Sequence, residues 1–395
     1  MIQIIIFLLL TLISIISAVA VLVFLIRRII AAVCNKANPE QLISLRKSLV
    51  VFISAIVLNV GFITVSQLTA STPDIIDENG NKPVNSIAEL TQIELNGRKQ
   101  WISIRGFDDS KPVLLFLAGG PGGTQLAAVR HELKELERYF VVVGWDQPGS
   151  GKSYDAQSIK DITVETYISD GRALTEYLIR RFGQEKIYLV GESWGSALGI
   201  FLIDRYPELY HGFIGTGQMV AFTETEVIDY KKAMEIAGER NDTALIEKLK
   251  ANGLPPYYGS DVTWKSAVYL NYLSAYMASN PSISNPGYNT FRDVFSSEYG
   301  IFDKINFFRG IINTFNHVYQ TLYDIDLRTD YTRLEVPVYF FEGRHDINAP
   351  TSLVEEYFDV LECPEKELVW FEHSGHSPWI NENDKFVEEL LLRFN

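Results

Sequence analysis

Three short clusters hold side chains that could do chemistry together. They are Gly191-Glu192-Ser193-Trp194-Gly195, Glu342-Gly343-Arg344-His345-Asp346 and Glu372-His373-Ser374-Gly375-His376. A serine hydroxyl is a poor nucleophile at neutral pH. It needs an adjacent base and a third group to orient that base. G-x-S-x-G is the spacing of a sharp strand-to-helix turn that lifts the serine above a sheet edge. Alone, the motif reads equally well as a glycine turn with a bystander serine. The apolar run 186–190 before it and the helix-like run 196–206 after it favour the nucleophile, Ser193.

The other two clusters supply the partners. Each follows a strand-like run, 336–341 and 367–371, where a parallel sheet presents its carboxyl edge and binds ligands. Glu342 sits at the strand end itself, whereas the loop carries Asp346 further out, which favours Asp346 as the orienting acid. Gly375 frees the backbone just before His376, which favours His376 over His373 as the base. His131, His211, His317 and His345 read as structural or surface residues. An ordinary imidazole titrates near 6.5, so activity is expected to fall along one acidic limb near that pH.

The clusters need a frame, and the chain's periodicity supplies one. Residues 87–95 and 99–105 alternate around Asn96-Gly97, a hairpin signal. Runs 112–117, 140–145, 186–190 and 210–214 read as buried strands. Residues 124–137 and 164–182 lie between them as helices with apolar residues at three-four spacing. This is the signature of a mostly parallel sheet flanked by helices. The alternation stops near Thr223. Residues 223–330 are helix-like and aromatic, with Tyr257, Tyr258, Trp264, Tyr269, Tyr272 and Tyr276. Strands then return, and a last helix covers 383–393. The expected organisation is a core of 88–222 with 331–395 and an inserted helical cap of 223–330.

Two apolar runs precede that body, joined to it by a polar linker, 71–87. Residues 2–26 are uncharged, and 49–68 form a weaker run with Ser54, Asn59, Ser66 and Gln67 inside it. A membrane span needs about 20 residues, so residues 1–70 read as a two-helix anchor in the lipid bilayer. A cleaved signal is the rival reading. Ala18-Val19-Ala20 resembles a cleavage site, but Met1-Ile2-Gln3 lacks a positive side chain. A second form of that rival places Arg46-Lys47 before an internal signal cut near Ala70. Arg27, Arg28, Lys36, Arg46 and Lys47 all lie between the runs, and 36–47 reads as the hairpin's loop. The positive-inside rule puts that loop in the cytoplasm and the body outside.

Charge and cysteine content exclude other functions. The chain of 395 residues carries −14 overall. Residues 1–70 hold five cations and one acid, a net of +4, which leaves −18 for residues 71–395. So acidic a body repels phosphate backbones, and nucleic acid is not an expected partner. Cys34 and Cys363 give no disulfide framework. The six histidines show no H-E-x-x-H pattern, so no catalytic metal and no cofactor are expected.

Three segments together resemble the prolyl iminopeptidase branch of the α/β-hydrolases: AGGPGG (118–123), GWDQPGSGKS (144–153) and GESWGSALG (191–199). That branch reads H-G-G-P-G, D-Q-R-G-x-G-x-S and G-G-S-W-G-S. Ala118, Pro148 and Glu192 are departures from it. The order Ser193, Asp346, His376 is that of the superfamily. The resemblance implies an α/β-hydrolase fold with Ser193 as nucleophile, Asp346 and His376 completing a triad, and Gly120 and Trp194 amides forming the oxyanion hole. It implies removal of an N-terminal residue whose free amine is gripped by carboxylates. Glu224 and Glu226, at the start of the cap, are the candidates for that role, though acids also favour a first helical turn on their own account. The expected function is therefore a membrane-anchored serine hydrolase acting on a small peptide or ester substrate, foremost as an aminopeptidase. An esterase or lipase acting on lipophilic esters is the alternative. A catalytically silent hydrolase-fold binding protein is the rival from another class.

Overall fold

The computed structural model describes residues 2–36, 38–285 and 287–394. Two compact units emerge, residues 1–70 with 299–304 and residues 71–298 with 305–395.

In the smaller unit, helix α1 (Ile2–Val33) and helix α2 (Pro39–Leu68) form a hairpin. They are 32 and 30 residues long, and an 18-residue stretch within each has mean hydropathy 3.0 and 2.4, so both are long and apolar enough to cross a membrane. Asn59 Nδ2 donates to Thr11 Oγ1 at 3.0 Å and ties one helix to the other. The predicted loop over 36–47 is largely absent, because α2 begins at Pro39. Asn38 caps the Glu40 amide at 2.9 Å, the Gln41 side chain reaches back, and Pro39 fits the first turn. Arg46 and Lys47 therefore lie on the helix. Ala37, within that predicted loop, lies outside the described residues.

The larger unit is built on an eight-stranded sheet in the order β1-β2-β4-β3-β5-β6-β7-β8. The strands are β1 (Ile87–Leu95), β2 (Arg98–Gly106), β3 (Val113–Leu117), β4 (Val141–Asp146), β5 (Ile187–Glu192), β6 (Tyr210–Thr216), β7 (Val338–Gly343) and β8 (Lys366–Phe371). The pairings from β4 through β8 are parallel, while β1–β2 and β2–β4 are antiparallel. Asn96 and Gly97, at φ 49° and 78°, make the tight turn from β1 to β2.

Alternation builds two cores. Leu115 and Leu117 of β3 face one side of the sheet, and Leu114 and Phe116 the other. Helix α3 (Leu126–Glu132) and the C-terminal helix Asn383–Arg393 cover the second face. Helices α4 (Val164–Phe182) and α5 (Trp194–Arg205) cover the first. Each buried Leu or Phe contributes about 1.5–3 kcal/mol. The helix predicted over 124–137 is shorter than expected. Thr124 and Gln125 bind Asp146 and Glu192 through their side chains and stay in the loop, and 134–138 tightens to a 3₁₀ turn.

The chain leaves the sheet after β6 and returns before β7. Between them lie α6 (Phe222–Glu239), α7 (Thr243–Asn252), α8 (Val262–Ala278) and shorter helices. Phe222 N–H donates to Ile325 O at 3.2 Å and Leu327 N–H to Val220 O at 2.9 Å, closing the neck of this insertion. The expected linker is partly docked. Thr72 and Ile75 are buried, and Arg105 holds Thr72 Oγ1 and Pro73 O at 2.7 and 2.6 Å.

Candidate active site

Ser193 stands between β5 and α5 with φ 54° and ψ −121°. A non-glycine residue rarely adopts such a backbone, and the surroundings must hold it there. Its N–H donates to Thr216 O at 3.0 Å on β6, and its carbonyl accepts from the Ser196 amide at 2.9 Å. Gly195 is required by space, since a Cβ there would meet Leu117 O at 2.2 Å. The G-x-S-x-G spacing thus reflects how closely α5 crosses the end of β3.

The structure brings His376 and Asp346 together from the ends of β8 and β7. His376 Nδ1 lies 2.8 Å from Asp346 Oδ2, and Asp346 Oδ1 accepts the Ala349 amide at 3.1 Å. A carboxylate accepts, so Nδ1 carries the proton and Nε2 is left as the basic nitrogen. The ring lies on Gly217, at φ 52°, where a Cβ would come within 2.9 Å of its Cε1. Ser193 and His376 line the same two cavities.

The alternatives fall elsewhere. His373 is exposed, with Nδ1 3.1 Å from Ser282 O. Glu342 is buried and accepts the Gln218 amide at 3.1 Å, which braces the loop beneath His376. His131 pairs with Asp293 at 2.8 Å.

Gly120 and Trp194 border the smaller cavity with Ser193. Trp194 opens α5, so its amide has no acceptor within the helix. Gln147, which no motif singles out as functional, links the two loops. It accepts the Trp194 indole N–H at 3.0 Å and donates to Ala118 O at 3.2 Å. Its place in the segment 144–153 was the available signal.

The two cap carboxylates are not brought to the site. Glu224 is exposed and paired with Arg328, whose guanidinium also holds Asp326 and Glu356. Glu226 is fully buried and accepts from the hydroxyls of Tyr269, Tyr319 and Ser266, the last two at 3.0 and 3.1 Å. Burial pushes its carboxyl up, and those three hydrogen bonds only partly oppose the rise. Neither lines the cavities among the described residues. Helical phase is the reason. Phe222, Glu226, Asp229 and Ala233 share the buried face of α6, and Glu224 lies off that stripe.

The larger cavity is about 450 Å³, the size of a small-molecule site. Met277, Ile283, Tyr288, Phe307 and Ile311 make much of its wall. The smaller, about 120 Å³, is bordered by Met219, Phe222 and Leu270 and has room for one small apolar side chain.

The electrostatics correct one expectation. Burial pushes the His376 imidazole down, but the Asp346 carboxylate beside it and the nearby Glu192 outweigh burial and hold it up at about 9. A raised value means the imidazole is protonated below that pH, and only the neutral form accepts a proton. The acidic limb of kcat/KM is therefore expected well above 6.5, toward 9. Asp346→Asn removes the charge that raises it and should move the limb down, as read by the rate of fluorophosphonate labelling against pH. A wild-type limb at 6.5 would contradict the raised value.

Comparison with known proteins decides the family. A family model described as alpha/beta hydrolase fold matches residues 112–382. The chain belongs to the α/β-hydrolase family. This α/β-hydrolase is 33% identical over 311 residues to a probable aminopeptidase, YbaC, of Bacillus subtilis, an alignment covering 77% of this chain and 96% of that one. It is 25% identical over 288 residues to a proline iminopeptidase of Saccharolobus solfataricus, covering 70% and 83%. In shape it is similar to the proline iminopeptidase of Mycobacterium smegmatis, with TM-score 0.56, 17% identity and coverage of 77% and 96%. The resemblance to the prolyl iminopeptidase-like branch therefore holds for the hydrolase body.

Proposed function

We propose that this α/β-hydrolase is a membrane-anchored serine aminopeptidase that releases N-terminal residues from small peptides. The observation that carries the reading is the 2.8 Å His376–Asp346 pair opening on the cavities that Ser193 lines. Ser193 Oγ attacks the scissile carbonyl as His376 Nε2 takes its proton. Asp346 holds the imidazole in the required tautomer and stabilises the imidazolium. The amides of Gly120 and Trp194 bind the oxyanion, a contribution of about 2.7–4 kcal/mol per donor in comparable sites. His376 then protonates the leaving amine, and water releases the acyl-enzyme by the same route. The small cavity suits the side chain of the residue being released.

The aminopeptidase-named relatives support peptide over ester substrates. The test compares proline p-nitroanilide, its N-acetyl form and p-nitrophenyl butyrate on the detergent-solubilised chain. The free amine is expected to be cut at least tenfold faster than the N-acetyl form. Equal rates would replace the peptidase with an esterase or lipase, a reading that the apolar cavity wall and the two long apolar helices would then favour.

The anchor reading rests on α1 and α2 as spans, with the cations of 27–47 on the cytoplasmic side and the body outside. In intact cells an impermeant thiol reagent should label a cysteine placed at residue 80 and spare Cys34. The reverse pattern would invert the topology.

A further inference from the structure

The larger cavity holds a charge that the catalytic steps do not use. Among the described residues that line it, Glu192 is the single carboxylate, and no lysine or arginine lines it. The side chain is 4% exposed, so its position is set by the protein rather than by solvent. Gln125 Nε2 donates to Oε2 at 2.5 Å and Ser377 Oγ donates to Oε1 at 2.8 Å. Gln125 is oriented in turn by the Gly119 amide, 3.3 Å from its Oε1. Each carboxylate oxygen can accept more than one hydrogen bond. The group is thus fixed but not saturated.

Its distance from the reacting serine suits an α-amino group. A Cβ placed on Gly119 would lie 2.7 Å from Glu192 Oε2 and 3.3 Å from Ser193 Cβ, so those two atoms are at most about 6 Å apart. In an aminoacyl substrate the ammonium is two bonds from the carbonyl carbon that the serine attacks. A cation in a largely apolar cavity requires a partner, and an unpaired one is strongly disfavoured. Glu224 and Glu226 are otherwise engaged, at the surface and inside the hydroxyl cage.

We infer that Glu192 is the charge partner of the substrate's free α-ammonium and so determines the enzyme's preference for unblocked N-termini. The inference rests on the aminopeptidase reading and names the residue behind it. An ammonium held there bridges the nucleophile loop, the glycine loop through Gln125, and the histidine loop through Ser377. An anionic acyl group would be repelled from the same place.

The test is the ratio of kcat/KM for proline p-nitroanilide to that for p-nitrophenyl butyrate, taken at the pH plateau of each variant because Glu192 also acts on His376. Glu192→Gln keeps the shape and a hydrogen-bonding amide but removes the charge. It should lower the ratio by about ten- to a hundredfold, the usual size of one charge-assisted hydrogen bond. Glu192→Asp keeps the charge and should retain more of the ratio than the glutamine variant. Fluorophosphonate labelling of both variants reports that the site remains assembled. An unchanged ratio in Glu192→Gln, or the same loss in both variants, would overturn the assignment and leave Glu192 as a brace between loops. Should wild type cut N-acetylproline p-nitroanilide as fast as the free amine, the aminopeptidase reading itself fails, whatever the variants do.

Discussion

Ser193→Ala is expected to lower turnover by about a millionfold, the scale seen when a triad nucleophile is removed. The residual rate would then come from the proposed oxyanion donors and binding alone. The backbone argument makes the variant informative. Ser193 sits at φ 54° because of contacts made by its main chain and its glycine neighbours, and alanine adopts that conformation no less easily than serine. The fold should survive, with thermal unfolding shifted by no more than a few degrees. Turnover by the folded variant within tenfold of wild type would remove Ser193 from the mechanism.

The second large effect separates two histidines three residues apart. His376→Ala removes the proposed base and should reduce kcat/KM by about a millionfold. Asp346→Asn should reduce it by about ten-thousandfold through the wrong tautomer. His373→Ala should change it less than tenfold, because that ring is exposed and turned to Ser282 O. Steady-state kinetics on the three variants make the comparison. Equal losses in the two histidine variants would contradict the geometry.

Much of the frame was legible in the sequence because its signals are local. Asn96-Gly97 announces a hairpin through its left-handed turn, and the buried strands read as apolar runs. The clusters at 342–346 and 372–376 could be placed because a parallel sheet puts every strand's carboxyl end on one edge. The pairing of His376 with Asp346 rather than Glu342 followed from loop reach. Helix α2 began ten residues before the apolar run because a capping box, not hydropathy, starts it.

The cap was less legible. Glu224 and Glu226 are two residues apart and so lie on different faces of α6, and position near the neck gave no helical phase. The buried stripe Phe222, Glu226, Asp229, Ala233 was present as an i, i+4, i+7, i+11 pattern. It places Glu226 inside the cap and Glu224 outside. In the sequence Glu192 stands out only as a departure from the G-G-S-W-G-S pattern. Its role depends on Gln125 and Ser377, 67 and 185 residues away in the chain, and no local pattern encodes those contacts.

The central claim is that Ser193 carries the acyl group. The most direct measurement traps it: a fluorophosphonate is reacted with the solubilised full-length chain and the adduct is located by peptide mass spectrometry. One adduct per chain on Ser193, blocked by prior protonation of His376 at low pH, is the predicted result. An adduct on any other residue, or an unlabelled chain that still hydrolyses proline p-nitroanilide, would contradict it.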